Sequence, residues 1–128
     1  MKKLFLFSGI ALLLFGLLFI SGIADFHHTV SRALTAGNRH YNAEAFDAAI
    51  AAYETGLQKE ADNPLLNFNA AQASYRAQAY EKAVEFCGKS PASVDRYLLQ
   101  GNASFRLGEK AADANIRLQH YSAAVKTY

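Results

Sequence analysis

Apolar and small residues recur three and four apart through most of the chain. Phe46, Ala49, Ile50 and Tyr53 fall at i, i+3, i+4 and i+7, which is one face of a helix. Tyr80, Ala83, Val84 and Cys87 repeat that face, as do Tyr121, Ala124, Val125 and Tyr128. Ahead of each of these helices runs another helical stretch containing a small residue: Gly37, Ala71 and Gly101. Small residues belong where two helices approach closely, and the large ones fill the space beside them. Each unit therefore reads as helix, short turn, helix. One such pair cannot bury its own apolar face, so stacked neighbours must supply the core. The pattern predicts an all-α domain over residues 30–128. It divides into helix pairs at 30–62, 63–91 and 92–128, the last incomplete.

The period is fixed over the first two units. Gly37 to Ala71, Phe46 to Tyr80, Ala49 to Ala83 and Ile50 to Val84 all share one spacing of thirty-four. Pro64 and Pro91 fall between units, where proline is expected to end a helix. The spacing then departs from the period twice. Cys87 to Gly101 is fourteen positions, against eighteen from Tyr53 to Ala71, so the second helix of unit two is shortened by about one turn. Gly101 to Tyr121 is twenty positions, against nine from Gly37 to Phe46. The eleven extra residues fall near Glu109–His120 and are expected to lengthen the helix that follows. The sequence ends at Tyr128, inside its last helix. Repeat arrays need polar capping units, so the expectation is a longer protein or a partner that covers this end.

The N-terminal segment 1–24 follows different rules. Lys2 and Lys3 precede twenty uncharged residues, Leu4 to Ile23, with no polar face at helical spacing. Twenty helical residues span the hydrocarbon core of a bilayer, about 30 Å. Gly22-Ile23-Ala24 also offers a cleavage site of the secretory kind. The run is longer than most signal cores, which favours an uncleaved anchor; cleavage after Ala24 is the alternative. Either way the two lysines stay on the cytoplasmic side. Residues 25–29 then form a linker. The repeats are expected on the periplasmic face of the inner membrane, or free in the periplasm after cleavage.

Charge and chemistry narrow the function. From Asp25 onward eleven Lys and Arg face eleven Asp and Glu, a net of zero. A neutral domain lacks the basic face that nucleic acid requires. Cys87 is the single cysteine, which excludes an intrachain disulfide and a multi-cysteine zinc site. It falls on a core face, whereas a catalytic thiol wants an exposed, electropositive setting. His27, His28, His40 and His120 show no ligand spacing. Carboxylates four apart, such as Glu81 and Glu85, suit a solvated helix face. No phosphate-binding loop or nucleophile motif is present. The reading is a non-enzyme, with no cofactor, no metal and no small-molecule substrate.

The small, aromatic, alanine and aromatic positions Gly37, Tyr41, Ala49 and Tyr53 resemble the tetratricopeptide repeat. Ala71, Tyr75 and Ala83 match in unit two, with Cys87 in place of the aromatic. Gly101, Phe105, Ala124 and Tyr128 match in unit three. With the N-terminal apolar segment, "GNRHYNAEAFDAAIAAYE" and "GNASFRLGE" are similar to the membrane-associated Bat-type aerotolerance proteins of bacteria. The resemblance implies a right-handed stack of helix pairs acting as a scaffold for protein-protein interaction. It also implies company: von Willebrand-type A-domain proteins and a MoxR-class ATPase. In the repeat family the first helices line a concave groove that takes a peptide or domain. The resemblance places Asn38, Tyr41 and Asn42 of unit one on that groove. Unit two contributes Phe68, Asn69, Gln72, Tyr75 and Arg76, and unit three Leu98, Asn102, Phe105 and Arg106. Amides can pair with a peptide backbone, aromatics bury side chains, and arginines hold carboxylates. The carboxylate clamp of chaperone-type repeats is matched only at Asn38 and Asn69. Leu34, Asp95 and Leu99 depart from it, and Asp95 would repel a terminal carboxylate. The other reading is a structural segment that stacks on further repeats or another copy, with no groove ligand.

Overall fold

A computed structural model describes Leu12, Phe15, Gly16 and residues 28–128. Apart from those three positions, the expected membrane segment 1–24 lies outside the described residues, as do residues 25–27 of the expected linker. Among the described residues no helix is long and apolar enough to cross a membrane.

The described chain is all-α, with six helices and no strand from residue 28 onward. Helix α1 covers 28–42 within the described residues, and α2 is Phe46–Leu57. Then follow α3 (Pro64–Arg76), α4 (Tyr80–Gly88), α5 (Val94–Lys110) and α6 (Ala114–Thr127). Three-residue turns at 43–45, 77–79 and 111–113 reverse the chain inside each pair. From α2 to α6, helices pack against their sequence neighbours, and α3 also packs against α5.

The turns explain where helices stop and start. Glu44 and Gln78, one period apart, both adopt left-handed backbone, φ 57° and 60°. Ala45 N–H donates to His40 O and Ala79 N–H to Ser74 O, both at 2.9 Å. This is the same helix-ending motif twice, built without the usual glycine. Between units, Asn63 caps α3: its side chain accepts from the Leu66 amide at 3.0 Å. Pro64 is therefore the first residue of α3, and it opens a helix where the sequence pattern expected one to end. Ser93 and Asp113 cap α5 and α6 in the same way. Buried Asn67 fastens the α2–α3 turn, its amide donating to Ala61 O and Asn63 O.

Size complementarity holds each pair together. Gly37 lies under the ring of Tyr53, and a methyl group at Gly37 would overlap the ring. Gly101 faces Tyr128 in the same manner; a Cβ there would sit 2.9 Å from Cε1. In unit two the equivalent pair is Ala71 and Cys87, a larger residue on one helix matched by a smaller one on the other. Both are fully buried. Ala49 and Ala83 are also fully buried, and α4 is nine residues long against twelve for α2, as the shortened spacing implied.

The insertion is divided between two helices, which corrects the expectation that only the second grows. Four residues beyond the unit-one length extend α5 past Gly101, and seven precede Tyr121 in α6. Both additions are close to whole turns, so neither apolar face rotates away from its partner. Gly108, seven residues after Gly101, meets Tyr121, seven before Tyr128. The long hairpin repeats its own close approach.

Unit three differs from unit one in what covers it. Ile50 and Tyr53 are 5% and 1% exposed; their counterparts Val125 and Tyr128 are 74% and 65% exposed. In unit one this face is covered by α3, which packs on α2.

Candidate functional site

The expected groove residues separate into groups. Asn38 is exposed, and its Oδ1 accepts from Tyr53 Oη at 2.7 Å and from Asn69 Nδ2 at 3.1 Å. Asn102 Oδ1 accepts from Tyr128 Oη at 2.5 Å. Of the three amides at this position of successive units, Asn38, Gln72 and Asn102, two thus use their carbonyl to satisfy a tyrosine hydroxyl arriving from the second helix. Half-buried Gln72 has no such partner, because Cys87 stands where the tyrosine would be. The aromatic residues Tyr41, Tyr75 and Phe105 are likewise partly structural. Tyr41 meets Phe46 edge-on at 5.5 Å, Tyr75 tilts against Tyr80 at 5.4 Å, and Phe105 stacks on Tyr121 at 5.2 Å. Each ring closes its own hairpin and leaves part of its surface open. Asn42 is exposed, Phe68 half-buried, and Leu98 and Phe105 are exposed.

Tyr75, Arg76 and Arg106 do come together. With Gln78, Tyr80, Glu109 and Lys110 they line an open cleft of about 500 Å³ where the C-terminal ends of α3 and α5 adjoin. Arg76 reaches back to the preceding unit, with its guanidinium carbon 4.7 Å from the centre of the Phe46 ring. Lys110 repeats that reach, its Nζ lying 4.6 Å from the centre of Tyr80. Such contacts fix a cation without neutralising it. Arg106, which stands at the Arg76 position of unit three, does something else. Its Nη1 donates to Glu109 Oε2 at 2.7 Å. The Glu109 carboxylate, and then the Tyr75 hydroxyl, hold the Arg106 guanidinium even more firmly protonated than usual. It is a cation at any attainable pH. Lys110 and Glu109 were not among the residues expected from the sequence. Both belong to the turn that lengthens α5, and Lys110 lies four residues beyond Arg106, on the same helix face.

Cys87 is buried, and burial pushes its thiol up to about 11, against a smaller opposing pull from Arg96. A protonated, covered thiol is a poor nucleophile. Among the described residues no group of three His, Cys, Asp or Glu is placed to hold a metal ion. No protein-family model matches the chain, and no curated protein is significantly similar to it.

Proposed function

We propose that the chain is a membrane-tethered, extracytoplasmic scaffold of the tetratricopeptide type, which binds another protein along the wall formed by its first helices. The observation that supports this reading is the packing of α3 on α5. It brings Tyr75 and Arg76 of one unit and Arg106 of the next to a single cleft. An extended segment lying across the first helices meets equivalent positions in turn, which is how a repeat array reads a peptide. The tether and the orientation rest on Lys2-Lys3 and the apolar run 4–23, with release into the periplasm after Ala24 as the alternative. The similarity to Bat-type proteins makes a von Willebrand-type A-domain protein the first partner to try. The role is one of binding, without catalysis.

An array of immobilised peptides of mixed composition, probed with the detergent-solubilised chain, tests this. Partly apolar peptides should be retained, and Leu98→Asp on the exposed groove wall should abolish retention with the helical signal intact. Retention unchanged by Leu98→Asp removes the groove from the account. A second reading has its own observation: Val125 and Tyr128 are open where Ile50 and Tyr53 are covered. That face suits a further helix with a small-residue surface like that of α3. No peptide retained, together with concentration-dependent self-association in sedimentation, would favour it.

A further inference from the structure

The cleft at the ends of α3 and α5 concentrates charge in a domain that is otherwise balanced. Arg76, Arg106 and Lys110 line it against one carboxylate, Glu109. Among the described residues, two of the three cations have no carboxylate partner. Arg76 rests on Phe46 and Lys110 on Tyr80, each ring belonging to the unit before. These ring contacts hold two long side chains in place, so less ordering is left for a ligand to impose. Arg106 differs, because Glu109 already occupies its guanidinium at 2.7 Å.

We propose that this cleft takes two neighbouring acidic side chains of a partner protein, and that Glu109 is an internal competitor which holds Arg106 until a partner carboxylate displaces it. The proposal rests on the reading of the first-helix wall as a protein-binding surface. Several features select separated carboxylates over a compact dianion such as phosphate. Arg76 and Lys110 sit in the last turns of different helices, α3 and α5. Helix C-termini offer none of the converging backbone N–H groups of a phosphate cradle, so binding falls to the separated side-chain cations, each of which suits one carboxylate. The cleft is open and its lining includes the Tyr75–Tyr80 pair, which suits an extended segment mixing acidic and apolar residues. The competing account is that Arg76 and Lys110 merely complement the helix ends.

The sign of one substitution separates these accounts. The probe is a fluorescein-labelled peptide of alternating glutamate and leucine, with a glutamine-leucine peptide as control. Binding is measured by anisotropy on the detergent-solubilised full chain at low salt. Glu109→Gln should bind the acidic peptide about two- to fivefold more tightly, the worth of an exposed ion pair no longer competing. Lys110→Gln and Arg76→Gln should each bind it about three- to tenfold more weakly. The control peptide should ignore all three changes, and salt should weaken the acidic peptide alone. Tighter binding by Glu109→Gln cannot come from damage to the fold.

If Glu109→Gln weakens binding or leaves it unchanged, Glu109 positions Arg106 and the competitor role is wrong. If Lys110→Gln and Arg76→Gln lower the melting temperature at unchanged affinity, the cations serve the helix ends and the cleft proposal fails. Equal binding of both peptides, indifferent to these variants, sinks the cleft while the groove survives. Binding of neither peptide sinks both. Displacement of the acidic peptide by inorganic phosphate beyond the effect of matched sodium chloride would overturn the carboxylate assignment.

Discussion

Replacing Gly37 with alanine adds one methyl group beneath the ring of Tyr53, where it would overlap Cε1, Cδ1 and Cζ. Tyr53 is 1% exposed and its hydroxyl is held by Asn38, so the ring has nowhere to go. Overpacking of this kind costs about 1–3 kcal/mol. Alanine returns roughly 1 kcal/mol of helix propensity over glycine. The net expectation is a loss of about 1 kcal/mol, with about 2 as the upper figure. Gly101→Ala is the internal control. Its Cβ would meet Tyr128 at 2.9 Å in the equivalent arrangement, yet Tyr128 is 65% exposed and can swing aside. The cost there is about 0.5 kcal/mol for an exposed hydrogen bond to Asn102, so the propensity gain wins or breaks even. One kcal/mol moves the melting temperature of a domain of this size by about 4–8 °C. Thermal melts followed by helical circular dichroism should show Gly37→Ala several degrees below the parent and Gly101→Ala level with it or above. Unit two already carries a compensated form, with Ala71 opposite the small Cys87. If Gly37→Ala melts at or above the parent, or the two variants fall together, ring immobility is not what makes glycine necessary.

Two further outcomes follow from the turns and the core. Glu44 has φ 57°, a conformation that costs a non-glycine residue about 1–2 kcal/mol. After the extra chain entropy of glycine, Glu44→Gly should stabilise by about 0.5–1 kcal/mol. Ala45→Gly, at φ −84°, should destabilise in the same denaturant titration; the reverse order would contradict the turn geometry. The Cys87 thiol is raised from its ordinary value, about 8.5, to about 11. The folded state therefore binds the proton more tightly than the unfolded state does. The stabilisation is complete below about pH 8.5 and is lost as pH rises towards 11. Melting temperature should fall across that window, and Cys87→Ala should flatten the fall. A thiol reagent at pH 8 should label the chain only on unfolding; fast labelling of the native chain would place Cys87 at the surface.

Much of the fold was legible because helix formation and helix pairing are local. Period 3.6 with small residues at Gly37, Ala71 and Gly101 located the pairs, and the shortened spacing after Cys87 correctly gave a shorter α4. The stops were less legible. Asn63 before Pro64 is a start signal, and it outweighed the reading of Pro64 as a breaker. Glu44 and Gln78 carry no glycine to announce their left-handed turns. The site was the least legible part. Composition and spacing put Asn38 and Asn102 on the first helices, but only packing brings Tyr53 and Tyr128 across to use their carbonyls. Length alone located eleven extra residues; their division between α5 and α6 was set by two faces that had to stay in register, with Gly108 against Tyr121. That division carried Glu109 and Lys110 to the cleft beside Arg76. Sequence by itself determined which stretches are helical and which faces are apolar, because both depend on neighbours a turn or two away. Tertiary structure decided which polar groups satisfy one another and which stay open. The side-chain pairings between helices join residues 15 to 31 positions apart in the chain, such as Tyr53 and Asn69 with Asn38, and only the contact between helices brings them within reach.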